Sequence, residues 1–109
     1  MAKTAQFFKV TFEDIKHKWS KIYPAKTKES LIDALNEKEL KRVNIVGVDW
    51  LGHHLVEIQP NEEGDNLKFV ATINGEDVTI NESDIGFDYL ELQLYKQIKE
   101  FKKEYFKHI

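Results

Sequence analysis

Apolar side chains recur along this chain in two rhythms, one of period two and one of three to four. The switches between them mark out its elements. Phe8, Val10 and Phe12 alternate with Lys9 and Thr11, the signature of a strand with one buried face. The next stretch carries two readings. Phe12, Ile15, Trp19 and Ile22 fall at helical spacing, with Thr11 and Asp14 placed as a loose capping box. Alternatively, residues 13–18 (EDIKHK) form a turn and residues 18–25 (KWSKIYPA) return as a second strand. Pro24 favours the hairpin, because it biases Tyr23 toward extended geometry.

From Thr27 the spacing predicts a helix. Thr27 can cap it, Glu29 suits its first turn, and Leu31, Ile32 and Leu35 form its apolar stripe. Residues 36–42 (NEKELKR) end it. Val43, Ile45, Val46 and Val48 make a β-branched run that Leu51-Gly52 interrupts and Leu55, Val56 and Ile58 resume. That pattern reads as a hairpin. Residues 60–66 (PNEEGDN) form an acidic loop. Asn74-Gly75 supplies the two residues tolerant of positive φ that a type I′ turn requires. Pairing outward from it sets Ala71 opposite Val78 and Phe69 opposite Ile80, on one face with Leu67 and Ile73. The chain then predicts one long helix, with Phe87, Leu90, Leu94, Ile98, Phe101 and Tyr105 as its stripe and Asp88 with Glu91 as a loose capping box.

These elements predict a single α+β domain over residues 1–109: an antiparallel β-sheet of hairpins, one short helix, and a long C-terminal helix packed on the sheet. The expected core is Phe8, Val10, Phe12, Leu35, Val46, Val48, Leu55, Phe69, Ala71, Val78, Ile80, Leu90, Leu94, Ile98 and Phe101. A chain of 109 residues, 41% hydrophobic, is long enough for one such core and too short for two domains. It has no cysteine, which removes disulfides, thiolate catalysis and thiolate metal sites and suits a reducing cytoplasm. The sequence lacks a run long enough to span a membrane and a signal-peptide core, so a cytoplasmic protein is expected.

Charge changes the picture more than composition does. The net charge is only −3. Residues 1–48, however, hold ten Lys/Arg against six Asp/Glu, and residues 92–109 hold five lysines against two glutamates. Between them, residues 49–91 hold eleven acids against Lys68 alone. Concentrated on one surface, those acids would repel one another. Two explanations stand: solubility and protection of strand edges, or a surface that steers toward a basic partner. On the second, the candidate partner-binding residues are Glu57, Glu62, Glu63, Asp65, Glu76, Asp77, Glu82 and Asp84.

Catalytic constellations are sparse: the sequence holds no nucleophile elbow, no phosphate-cradling glycine loop and no H-E-x-x-H motif. Adjacent His53 and His54 would point to opposite faces of a strand and so could hardly share a metal. A turn at Leu51-Gly52 would set His54 across from Asp49, an acid–base pair in form. With no nucleophile nearby, a cross-strand charge pair is the better reading, and no enzyme activity is expected. The loop at residues 61–66 lacks the alternating oxygen ligands of an EF-hand, so neither metal nor cofactor is expected. Lys96, Lys99, Lys103 and Lys107 could bind nucleic acid from the last helix. Glu100 and Glu104 interrupt that face, and direct nucleic-acid binding is not expected.

The segment KWSKIYPAKTKESLIDAL resembles a strand-then-helix pattern found in small accessory proteins of phages and mobile elements. Fifteen lysines to one arginine also suit a low-GC bacterial or phage genome. Proteins of that kind often bind and inhibit host machinery, including restriction and CRISPR defence nucleases, and acidic examples mimic nucleic acid. The resemblance implies a non-enzymatic, phage-type inhibitor acting in a host bacterial cytoplasm. Its partner would be a basic, nucleic-acid-handling protein.

Overall fold

The structure is a computed structural model that describes residues 4–37, 43–61 and 67–105. Five strands and three helices follow in the order β1 (Thr4–Glu13), β2 (Lys18–Pro24), α1 (Lys28–Glu37), β3 (Asn44–Pro60), β4 (Leu67–Ile73), β5 (Glu76–Ile80), α2 (Phe87–Gln93) and α3 (Tyr95–Tyr105). The strands form one antiparallel sheet, ordered β2-β1-β3-β4-β5, curled into a half-barrel. The α+β class and the packing of C-terminal helical residues on the sheet agree with the sequence pattern.

Residues 13–23 form the hairpin, and the reason is local. The Asp14 carboxylate accepts the backbone N–H groups of Lys16 (2.8 Å) and His17 (2.6 Å), while Asp14 N donates to His17 O (2.9 Å). Those donors also hold the Asp14 pKa below its usual value. A helix would give up this turn to bury Ile15, which instead stands 93% exposed at the hairpin tip. Helix α1 begins where expected. Thr27 Oγ1 accepts Ser30 N (3.0 Å) and Ser30 Oγ accepts Thr27 N (3.2 Å), a reciprocal cap with serine in the usual glutamate position. Of the residues expected to end it, 36–42, those from 38 to 42 lie outside the described residues.

Two faces of the sheet are covered, so β1 is buried on both. Phe8, Val10 and Phe12 pack with Ala25 and the α1 residues Leu31 and Leu35. Ala5 and Phe7 point the other way, into a cluster with Val56, Phe69, Ala71, Ile73, Ile80, Phe87, Leu90, Leu94 and Ile98. The sequence pattern identified only the first of these faces. Phe7 is fully buried, worth about 1.5–3 kcal/mol by removal of its ring from water.

The expected hairpin at Leu51-Gly52 is not present. Residues 44–60 run as one strand, paired to β1 through Leu55 and to β4 from Val56 onward. Gly52, at φ 87°, accommodates a bulge between the Gln6–His53 and Phe8–Trp50 pairs, where β3 has one residue more than β1. A second bulge sits between the Thr11–Gly47 and Phe12–Ile45 pairs. It leaves Val46 without a partner in the register and 48% exposed. The first bulge shifts the alternation by one residue, so Val56 turns inward and Leu55 is 60% exposed. Val46 and Leu55 therefore leave the expected core. Val48, Val78 and Phe101 flank it, half-buried, and the other expected members are buried.

The β4–β5 hairpin has the expected register, Phe69–Ile80 and Ala71–Val78, around Asn74 (φ 53°) and Gly75 (φ 81°). The long C-terminal helix is divided at Leu94, whose φ of −109° and ψ of 20° leave the helical range. Hydrogen bonds from Leu94 N to Leu90 O and from Ile98 N to Leu94 O carry the buried stripe across the break. The residue before α2 is Gly86, so Asp88 lies inside the first turn and caps nothing.

Gly86 combines φ 97° with direct contact: a Cβ there would lie 2.4 Å from Pro24 O. Replacing Gly86 with Ala therefore adds backbone strain and a clash that ties the start of α2 away from the end of β2. We expect a loss of about 2–4 kcal/mol in urea unfolding. Ile98→Asp, which places an unpaired charge in the cluster under α3, should cost a comparable amount, about 3 kcal/mol or more. Melting temperatures equal to the parent protein would contradict both assignments.

Candidate docking face

Helix α1 covers only one end of its face of the sheet. Alternation along β3 places Trp50, His53, Leu55, Glu57 and Gln59 on that same outer face, past the reach of α1. Across the neighbouring strands the face continues through Val70, opposite Glu57, and through Thr72 with its cross-strand partner Asp77. Of these, His53, Leu55, Glu57, Gln59, Val70, Thr72 and Asp77 border a shallow depression of about 820 Å³ that also includes Thr4, and Trp50 stands beside it against His53.

The outer face has an apolar part and an acidic part. Trp50 is 61% exposed, yet its position is held: Nε1 donates to Gln6 Oε1 (3.1 Å), and the His53 ring stands edge-on at 6.0 Å. Gln6 is itself fixed by a hydrogen bond from Nε2 to the Lys26 carbonyl. Leu55 lies nearby on the same strand face. Glu57 accepts a hydrogen bond from Gln59 Nε2 (3.3 Å), and Asp77 accepts one from Thr72 Oγ1 (2.9 Å). Both carboxylates are exposed.

The other candidate acids are placed elsewhere. Glu76 lies on the inner face of β5, directed away from the depression. Glu82 and Asp84 occupy the connection from β5 to α2, where Asp84 accepts Asn81 N (2.8 Å) and closes a tight turn. Glu62, Glu63 and Asp65 lie outside the described residues. The described acids are thus distributed over several surfaces, and of the five candidates among the described residues Glu57 and Asp77 share the depression.

The structure does not bring Asp49 and His54 together across a turn. They lie on one strand, Asp49 opposite Lys9 and His54 opposite Ala5. The two neighbouring histidines do face opposite sides: His53 meets Trp50, whereas His54 packs edge-on to Phe7 at 6.1 Å and bonds the Leu51 carbonyl (2.8 Å). Lys96, Lys99 and Lys103 are exposed on α3, with Lys99 over the Tyr95 ring, and Lys107 is outside the described residues. No described helix is long and apolar enough to cross a membrane. The sequence pattern missed the exposure of Trp50 and Leu55. The available signal was Gly52, read as a turn although one positive-φ residue equally suits a bulge.

No family model, curated protein or solved structure matches this chain.

Tyr23 of β2 packs against the cluster under α1, edge-on to Phe12. Burial raises its pKa above the ordinary 10.0, and the Asp84 carboxylate adds to the effect. The neutral phenol is the form the fold favours. Its contribution is therefore intact below pH 10 and lost as pH rises through the raised pKa. Thermal unfolding followed upward from about pH 9 should show a steeper alkaline decline for the parent protein than for Tyr23→Phe. Identical slopes would remove Tyr23 as a contributor.

Proposed function

We propose that this chain is a non-enzymatic protein-binding module whose outer face docks on a basic, nucleic-acid-handling protein. The observation that carries this reading is that exposed Trp50 and Leu55 share one sheet face with the carboxylates of Glu57 and Asp77. An exposed tryptophan held by hydrogen bonding is pre-organised, so little freedom is lost when a partner covers it. Carboxylates at the rim add steering and select a positively charged surface. Such a partner surface commonly serves to hold phosphates, and covering it would exclude nucleic acid. That is the action of a phage-type inhibitor of a restriction or CRISPR nuclease, the class that the segment KWSKIYPAKTKESLIDAL resembles.

The alternative is direct binding of nucleic acid by the lysines of α3. One experiment separates them. The tagged protein is used to capture partners from a low-GC bacterial lysate, with and without nuclease. A protein partner retained after nuclease treatment is expected, and loss of every partner would favour the α3 lysines and overturn the proposal.

With the retained partner in hand, Trp50→Ala should weaken association by about 2 kcal/mol while leaving the melting temperature nearly unchanged. Glu57→Gln combined with Asp77→Asn should slow association and flatten its dependence on salt. Unchanged association in these folded variants would show that the depression is not the docking face.

A further inference from the structure

The half-barrel is open along one side, and the opening has the form of a vacant strand position. A cleft of about 590 Å³ separates the two edge strands, lined by Ser20, Ile22 and Tyr23 of β2 and by Asp77, Val78 and Thr79 of β5. Residues that belong to both faces of both strands line it. Ile22 and Val78 belong to the inner face, where they pack against the core, while Tyr23 and Asp77 belong to the outer face. This cleft is a slot between two edges.

Backbone polarity points the same way. In the β4–β5 hairpin, the residues flanking the two-residue turn form a hydrogen-bonded pair. Glu76, Val78 and Ile80 therefore bond to β4, and the N–H and C=O groups of Asp77 and Thr79 turn outward. On β2, the bonds Ala25 N to Gln6 O and Asp14 N to His17 O set the same alternation, so Ser20 and Ile22 turn outward. All four residues line the slot. The antiparallel order also makes β2 and β5 run in the same direction, with their C-terminal ends joined through Gly86 against Pro24. A sixth strand running opposite to both would close an all-antiparallel barrel.

We infer that this slot binds an extended peptide segment of alternating apolar and basic residues, added as a strand between β2 and β5. The apolar positions follow from Ile22, Val78 and Ile80 on the inner side. The basic positions follow from charge. Glu76, Asp77 and Asp84 line the β5 side, against Lys9 and Lys21 on the other, and Lys9 already faces Asp49 across the β1–β3 ladder. Main-chain pairing would supply affinity and these side chains selectivity. The inference stands apart from the outer-face reading, because its test uses a peptide rather than the captured partner.

The probe is a blocked hexapeptide of alternating valine and lysine, titrated into isotope-labelled protein and followed by amide resonances. Saturable shifts and slowed hydrogen exchange are expected at Ser20, Ile22, Asp77 and Thr79. The matching valine–glutamate peptide should bind about tenfold more weakly or worse. Thr79→Pro removes an outward N–H and leaves the β4 ladder intact, so it should keep the fold and weaken the peptide about tenfold. Alternate N-methylation of the peptide gives the same test without touching the protein. The proposal is overturned by absence of saturable binding, by shifts confined to the outer depression, or by unchanged affinity for the N-methylated peptide. Concentration-dependent dimerisation through the same amides, without peptide binding, would overturn it in favour of a second copy of the chain.

Discussion

Phe7 and Phe8 are consecutive residues of a strand, so their rings leave the sheet in opposite directions, and both are buried. That single fact requires cover on both faces of β1. One face receives α1 through Leu31 and Leu35; the other receives the C-terminal helices through Phe87, Leu90, Leu94 and Ile98. Neither group of helices could be lost without exposing a phenylalanine at a cost of about 1.5–3 kcal/mol. The interior place of β1 between β2 and β3 follows from the same requirement, since an edge strand is harder to enclose on two sides.

The remainder of the sheet adapts to that centre. β3 is too long to pair with one neighbour, and it serves β1 with its first part and β4 with its last. The two bulges let it bend between these duties. They also explain which parts of the fold could be read from sequence. The β4–β5 hairpin was legible because Asn74-Gly75 and the alternation from Leu67 to Ile73 specify the same register. The cap at Thr27 and the stripe of the C-terminal segment were legible for similar reasons: local chemistry and spacing agree. Two adjacent phenylalanines, by contrast, do not announce which face each will occupy. Gly52 was ambiguous because turns and bulges use the same backbone conformation.

The candidate site was less legible than the fold, and the cause is the same bulge. Strict alternation would send Leu55 inward; the extra residue at Leu51-Gly52 sends Val56 there and leaves Leu55 beside Trp50 on the open face. Charge, read as a run in sequence, leaves open whether the acids share one surface. The strands divide them: Glu76 and Asp77 are neighbours in sequence but face opposite sides of β5, and Asp84 is engaged in a turn. Distribution relieves the repulsion that a single patch of these acids would create. Among the described residues it leaves Glu57 and Asp77 on the face that also exposes Trp50 and Leu55.

The curl of the sheet creates a second constraint. Exposed strand edges invite pairing with other chains, and proteins blunt them with charge, proline, twist or a covering element. β2 ends in Pro24, and Lys18 and Lys21 flank its edge; β5 is only five residues long and begins with Glu76 and Asp77. These features discourage indiscriminate edge pairing from solvent. Curling the two edges toward one slot adds selectivity of a different kind. A strand entering there would satisfy polar groups on both sides at once, whereas a strand adding to either edge from outside would satisfy one side and leave its own far edge exposed. The same geometry that protects the barrel from aggregation therefore favours an occupant that fits between both edges, with side chains matched to an apolar inner side and an acidic β5 rim.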